Sequence, residues 1–180
     1  MKNFHRLMGG ANVGPLLLSL ARHQELWDQN TLRTTHPQTP HKEVSDIWLR
    51  FNRLPEKVEE VIDEHESIDY PAYAILKEAR PLIMGLMAHV QGERLGRCLI
   101  TRLAPGRRIE PHVDGGSHAA YYDRFHIVLD SAPGSIFRCG DEHVQMSPGE
   151  IWWFDNSVEH SVVNNSATDR LHLIVDIKLQ

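Results

Sequence analysis

The residues with the clearest chemical promise are His112, Asp114, His160 and Arg170. In Pro111-His112-Val113-Asp114 one residue separates a histidine from an aspartate, so a strand end or tight loop can aim both at one metal ion. A histidine from a distant strand, His160, would complete a facial set of two imidazoles and a carboxylate. That set suits non-haem Fe(II) and leaves positions open for oxygen and a cosubstrate. Arg170 follows His160 by ten residues, within the apolar stretch that ends at Ile177. A guanidinium there could clamp the far carboxylate of a keto-acid bidentately. A lone HxD pair arises easily by chance. Its weight here comes from order: strand, HxD, several strands, histidine, then arginine on a closing strand.

Two further strands offer polar groups on one face. Over Arg124 to Leu129 the period of two sets Arg124, His126 and Val128 against Phe125, Ile127 and Leu129. An inward cation and imidazole are costly unless an anion meets them, and an acidic cosubstrate would do so. The plainer alternative pairs Arg124 with Asp123 or Asp141 at the surface. Over Arg170 to Ile177, Arg170, His172, Ile174 and Asp176 share a face opposite Leu171, Leu173, Val175 and Ile177. His172 and Asp176 read as structural, and Trp152, Trp153 and Phe154 as core. Trp48 and Arg50 are candidates for a pocket mouth.

The elements that would position these groups fall into two halves. Asn12 to Trp27 reads as a helix with Pro15 in its first turn, Asn30 to His41 as a loop, and Val44 to Phe51 as a strand. Helices are expected over Pro55 to Glu66, Tyr70 to Ala79 and Leu82 to Val90, with Gly92 and Gly96 ending the helical half. After Arg97 short strands recur: Arg97 to Leu103, Ile109 to His112, Arg124 to Leu129, Ser135 to Cys139, Glu142 to Met146, Ile151 to Phe154, Glu159 to Val163 and Arg170 to Ile177. Gly, Pro and Asn clusters separate them. The expected fold is mainly β with a helical N-terminal part, a double-stranded β-helix of the cupin-like jelly-roll type. Residues 1–180 form one domain: 1–96 a mostly helical support with one strand, 97–180 the jelly-roll core.

The 180 residues carry 41% hydrophobic side chains, enough for a sizeable core, and a net charge of −5. Basic residues are scattered, which gives no footprint for nucleic acid or an anionic membrane. Cys98 and Cys139 have no paired spacing, so neither a disulfide framework nor a structural zinc site is expected. Lys2 and Arg6 precede an apolar stretch in signal-peptide fashion. Gly9, Gly10, Asn12, Gly14 and Pro15 interrupt it, no small-x-small site follows, and a cytoplasmic protein is expected.

Thr101 to Asp176 resembles the aspartyl/asparaginyl β-hydroxylase family of Fe(II)/2-oxoglutarate-dependent oxygenases. The matching pieces are Leu103-Ala-Pro-Gly106, Pro111-His112, Arg124-Phe-His126, Pro148-Gly-Glu-Ile-Trp-Trp-Phe-Asp155, Glu159-His160 and Arg170-Leu-His-Leu-Ile-Val-Asp176. The resemblance implies a dioxygenase that hydroxylates an unactivated carbon of an amino-acid side chain, free or in a peptide, releasing succinate and carbon dioxide. It implies His112 and His160 as iron ligands and Arg170 on the distal carboxylate of 2-oxoglutarate. It also implies Thr101 as a hydroxyl on that same carboxylate, Arg124 and His126 as a basic pair near the other end of the keto-acid, and ascorbate as an optional aid. The best-known animal members have glycine where this chain has Asp114, and they hold iron with two histidines. The carboxylate here predicts an ordinary triad of His112, Asp114 and His160. Two alternatives remain: a cupin-type metalloenzyme without 2-oxoglutarate, and a non-catalytic jelly-roll module that binds a small acid or a partner. Neither substrate identity nor oligomeric state follows from these residues.

Overall fold

The computed structural model describes residues 1–54 and 65–180. The helix expected over Pro55 to Glu66 lies, but for its last two residues, outside the described residues.

Two antiparallel sheets face each other. The larger has seven strands: β1 (Phe4–Met8), β2 (Val44–Phe51), β3 (Ile68–Asp69), β4 (Arg94–Leu103), β6 (Asp123–Asp130), β9 (Ile151–Phe154) and β11 (Arg170–Lys178), in the order β1-β9-β6-β11-β4-β2-β3. The smaller is β5-β10-β7-β8, from β5 (Arg108–His112), β7 (Ser135–Cys139), β8 (Glu142–Val144) and β10 (His160–Asn164). This is the expected jelly roll. Helices α1 (Gly14–Arg22), α3 (Pro71–Ile75) and α4 (Ala79–His89) cover the outer face of the larger sheet. Short helices α2 (Leu32–Thr35) and α5 (Gly116–Tyr121) lie in connections.

Strand alternation divides the core in two. Phe125, Ile127 and Leu129 of β6 and Leu173, Val175 and Ile177 of β11 turn outward, onto Leu16, Leu20, Ile83 and Leu86 of the helices. A second cluster fills the space between the sheets, with Phe4, Val128, Phe137, Phe154 and Val162. The opposite faces of β6 and β11 thereby point their polar residues into the inter-sheet space. Hydrophobic burial outside thus fixes which way the polar face inside must look.

Several expectations change. Among the described residues three strands, β1, β2 and β3, precede β4 where one was expected. Gly96 does not end the helical half but lies inside β4, where a Cβ would meet the Tyr122 ring at 3.0 Å, so the strand needs a residue without a side chain there. The helix expected to Trp27 stops at Arg22 and resumes as a 3-10 turn over Gln24–Leu26. Tyr70 to Ala79 holds the five-residue α3 and, at its last residue, the start of α4. Trp48 lines no mouth: it is buried, stacked on Phe51 at 3.9 Å between ring centres, because the register of β2 on β4 shifts after Trp48. Both cysteines are free and buried.

Candidate functional site

His112 ends β5 and His160 begins β10, and the two residues are register partners across the smaller sheet. Their rings lie 4.3 Å apart. Each Nδ1 donates to a backbone carbonyl two residues back, His112 to Glu110 at 2.7 Å and His160 to Val158 at 2.9 Å. That fixes both tautomers and leaves both Nε2 lone pairs facing a common point. Asp114 follows β5, its amide bonded to the Asn156 carbonyl. Its Oδ1 is 3.6 Å from His112 Nε2 and its Oδ2 is 3.9 Å from His160 Nε2. The three ligand atoms lie within 4.8 Å of one another. Burial pushes the His160 pKa down to about 4, so its ring is neutral near pH 7 and can donate a lone pair.

The residues fit a metal on an observation independent of spacing. Among the described residues His112 Nε2 is buried without a hydrogen-bond partner. A buried lone pair with no donor is a cost the fold does not need, unless a cation meets it. Two imidazole nitrogens and one carboxylate oxygen are the donor set of non-haem Fe(II) sites.

The carboxylate is itself held. Arg124 Nη1 donates to Asp114 Oδ2 at 2.5 Å, while its Nε and Nη2 donate to both oxygens of Asp176 at 2.8 and 3.0 Å. Asp176 is the register partner of Arg124 on β11 and also meets His118 Nε2 of α5 at 3.0 Å. Arg124 therefore does not pair with Asp123 or Asp141. Burial opposes its charge, but Asp114 and Asp176 outweigh this and raise its pKa above the ordinary value. An Arg124→Gln variant is expected to bind Fe(II) roughly 10–100-fold more weakly, the usual cost of losing such an outer partner. Isothermal titration under anaerobic conditions measures this; unchanged affinity would mean that Arg124 does not orient Asp114.

Across the gap, Thr101 of β4, His126 of β6 and Arg170 of β11 line an inner cavity with Ile109, Phe137 and Val162. Arg170 is 3% exposed, and among the described residues no carboxylate lies within ion-pair distance of it. Burial lowers its pKa to about 9, which leaves it charged at pH 7. His126 is different: burial, then Arg170 and Arg124, push its pKa well down, so the expected basic pair is one cation and one neutral ring.

The segment read as a loop supplies two residues that periodicity missed. Arg33 of α2 donates to Asp46 Oδ2 at 2.7 Å and contacts His41 Nδ1 at 3.2 Å. His41 packs edge-on to His112, with ring centres 4.9 Å apart. Arg33, His41, His112 and Arg124 line both the inner cavity and an outer cleft of about 530 Å³, which Leu32, Phe51, Leu99 and Val113 also border. Among the described residues no helix is long and apolar enough to cross a membrane.

A profile described as aspartyl/asparaginyl β-hydroxylase matches residues 24–179. An L-proline cis-4-hydroxylase of Rhizobium meliloti (strain 1021) is 30% identical over 129 residues, covering 71% of this chain and 45% of that protein. L-proline cis-3-hydroxylase 1 of a Streptomyces species is 33% identical over 89 residues, covering 48% of this chain and 30% of the relative. The chain thus spans less than half the length of these curated relatives. A structure of an oxidoreductase of the 2OG-Fe(II) oxygenase family from Burkholderia pseudomallei has a TM-score of 0.55 at 19% identity, over 94% of this chain and 92% of that one. A prolyl-4-hydroxylase from Pseudomonas putida gives 0.54 at 14% identity, over 98% and 91%. At these identities the structural likeness is one of fold. Together with the profile match over most of its length, it follows that the chain belongs to the aspartyl/asparaginyl β-hydroxylase family.

Proposed function

We propose that the protein is an Fe(II)- and 2-oxoglutarate-dependent dioxygenase, a single cytoplasmic domain that hydroxylates an unactivated carbon of a small amino acid. The observation that carries this reading is the pairing of two unusual features across one gap: a triad with a bare buried imidazole nitrogen, and a buried guanidinium with no anion. Either alone has a bland explanation. A cosubstrate with a carboxylate at each end answers both.

His112, Asp114 and His160 would hold Fe(II). Bound there, the metal with 2-oxoglutarate supplies oxygen activation: substrate C–H, 2-oxoglutarate and O₂ become C–OH, succinate and CO₂, one oxygen atom entering each organic product. The chain's own groups bind and orient. Arg124 keeps Asp114 turned toward the histidines and brings positive charge to the keto-acid end. Arg170 takes the distal carboxylate, with the Thr101 hydroxyl beside it. His126 adds a neutral polar edge, and Ile109, Phe137 and Val162 keep bulk water out. The inner cavity is only about 30 Å³, so a five-carbon diacid needs Phe137, Ile174 or Arg170 to give way. The outer cleft, bordered by Arg33 and His41, is where the substrate would enter. The proline hydroxylases among the relatives make free L-proline the first substrate to try. Two buried, free cysteines suit a reducing compartment.

The test is a screen of free amino acids, L-proline first, and of short peptides, for substrate-stimulated succinate release with Fe(II) and ascorbate. Succinate coupled one-to-one to a hydroxylated product supports the reading. Turnover without 2-oxoglutarate would favour another cupin-type metalloenzyme, and no turnover with any substrate a binding module. An Arg170→Ala variant is expected to bind 2-oxoglutarate at least tenfold more weakly, since a charged hydrogen bond is worth ~1.5–3 kcal/mol. Its Fe(II) affinity should not change. Equal 2-oxoglutarate affinity in that variant would remove Arg170 from the site.

A further inference from the structure

Arg170 reaches the cavity without a carboxylate, yet something holds it. Its Nη2 lies 3.2 Å from His172 Nδ1, and its guanidinium lies over the Phe137 ring, 5.7 Å from the centre. A guanidinium only donates. His172 Nδ1 must therefore accept, and the ring's proton is on Nε2. His126 Nδ1 lies 3.0 Å from the same His172 nitrogen. That nitrogen has no proton to give, so His126 supplies its own, and its Nε2 on the far edge of the ring is bare. Both rings are buried, and burial with the nearby Arg170 disfavours charging either. Neutrality is what the arrangement requires, because a His172 imidazolium would have no lone pair for Arg170.

The arrangement has a cost. His172 Nε2, which carries the proton, is buried with no hydrogen-bond partner among the described residues. A residue there for packing alone would be aliphatic, like Ile174 on the same face of β11, and would leave no donor unpaired. The imidazole is explained by what its other nitrogen does.

We infer that His172 is a positioning residue: its Nδ1 lone pair holds the Arg170 guanidinium in place for an incoming carboxylate and sets the neighbouring His126 as an acceptor. The inference rests on the reading of Arg170 as the cosubstrate clamp. It also changes the part of His126. With Nδ1 donating and Nε2 bare, the ring cannot grip a carboxylate oxygen and instead offers a lone pair to a donor such as a hydroxyl.

Two experiments on the full chain, loaded with Zn(II) as a diamagnetic stand-in, decide it. Long-range ¹H–¹⁵N NMR reads the tautomers directly: the proton is expected on Nε2 of His172 and on Nδ1 of His126. A proton on Nδ1 of His172 overturns the inference. Titration calorimetry with 2-oxoglutarate then separates positioning from packing. His172→Leu, which keeps bulk and removes the acceptor, is expected to raise the Kd about tenfold with Zn(II) affinity unchanged. In His172→Asn the amide oxygen takes the place of Nδ1, and the Kd should return to within about threefold of wild type. A Leu variant that binds like wild type, or Asn and Leu variants equally impaired, overturns the assignment. If the wild-type protein binds no 2-oxoglutarate, the clamp reading falls, while the tautomers still decide the Arg170–His172–His126 arrangement. The same spectrum decides if the Leu variant does not fold.

Discussion

Loss of the His160 imidazole is expected to lower Fe(II) affinity at least a hundredfold and to abolish the proposed hydroxylation. Four-ligand structural zinc sites reach about 10–16 kcal/mol, so one ligand of three is worth several kcal/mol, and two decades of affinity correspond to about 2.7 kcal/mol. His160 is also the better buried of the two imidazoles, its ring 4.9 Å from that of Phe154. A His160→Ala variant should thus melt somewhat lower as well, and far-UV circular dichroism separates that effect from metal loss. Anaerobic titration of a folded His160→Ala protein measures the affinity. Retention of wild-type Fe(II) binding would mean that the three side chains do not share an ion.

The largest effect on stability is expected at Asp176, which contacts no ligand. It is 2% exposed and lies between Arg124 and His118. Burial alone would raise its pKa, but Arg124 and His118 outweigh it and hold the carboxyl well below the usual carboxylate range. Replacement by asparagine leaves Arg124 largely buried with half its counter-charge. Breaking a buried ion pair from one side costs roughly 3–5 kcal/mol. For a chain of this length that lowers Tm by on the order of 10 °C. The pH dependence follows from the direction of the shift. A carboxyl with a depressed folded-state pKa contributes stability that is fully present above its unfolded value, about 3.9, and is lost as pH falls toward the folded value. Wild type should therefore lose stability more steeply than Asp176→Asn below about pH 4. Equal acid slopes in urea melts would show that Asp176 is not the anchor of Arg124.

Alternation made the two central strands readable. Arg170, His172, Ile174 and Asp176 had to share a face because Leu171, Leu173, Val175 and Ile177 needed the other, and the structure divides them that way. His112, Asp114, His160 and Arg170 could be grouped from chain order and residue type, and the structure brings the first three within 4.8 Å of one another with Arg170 on the same cavity. Other parts left no local trace. β1 is an edge strand with Phe4 its one buried residue, and it falls in the stretch whose basic and apolar residues resembled a signal peptide. The six residues of α5 start at the second of two adjacent glycines, a pair that reads as a turn, yet they deliver His118 to Asp176. Arg33 and His41 reach the site through Asp46 on the strand that follows and through His112 much later in the chain, so no window of sequence around residues 30–41 could reveal them. The role of Arg124 was hidden for a like reason: its partners Asp114 and Asp176 are 10 and 52 residues away.

The two halves of the site belong to different walls. His112 and His160 are anchored on the four-stranded layer, and Thr101, Arg124, His126 and Arg170 on the seven-stranded one. The span from the proposed iron ligands to the guanidinium is therefore a gauge whose setting is the girth of the filler between the walls, chiefly Phe137, Phe154 and Val162. Slimming or thickening that filler would select shorter or longer diacids while leaving every recognising group in place, with the Asp114–Arg124 ion pair and the Asn164–Leu103 hydrogen bond among the ties that resist the change.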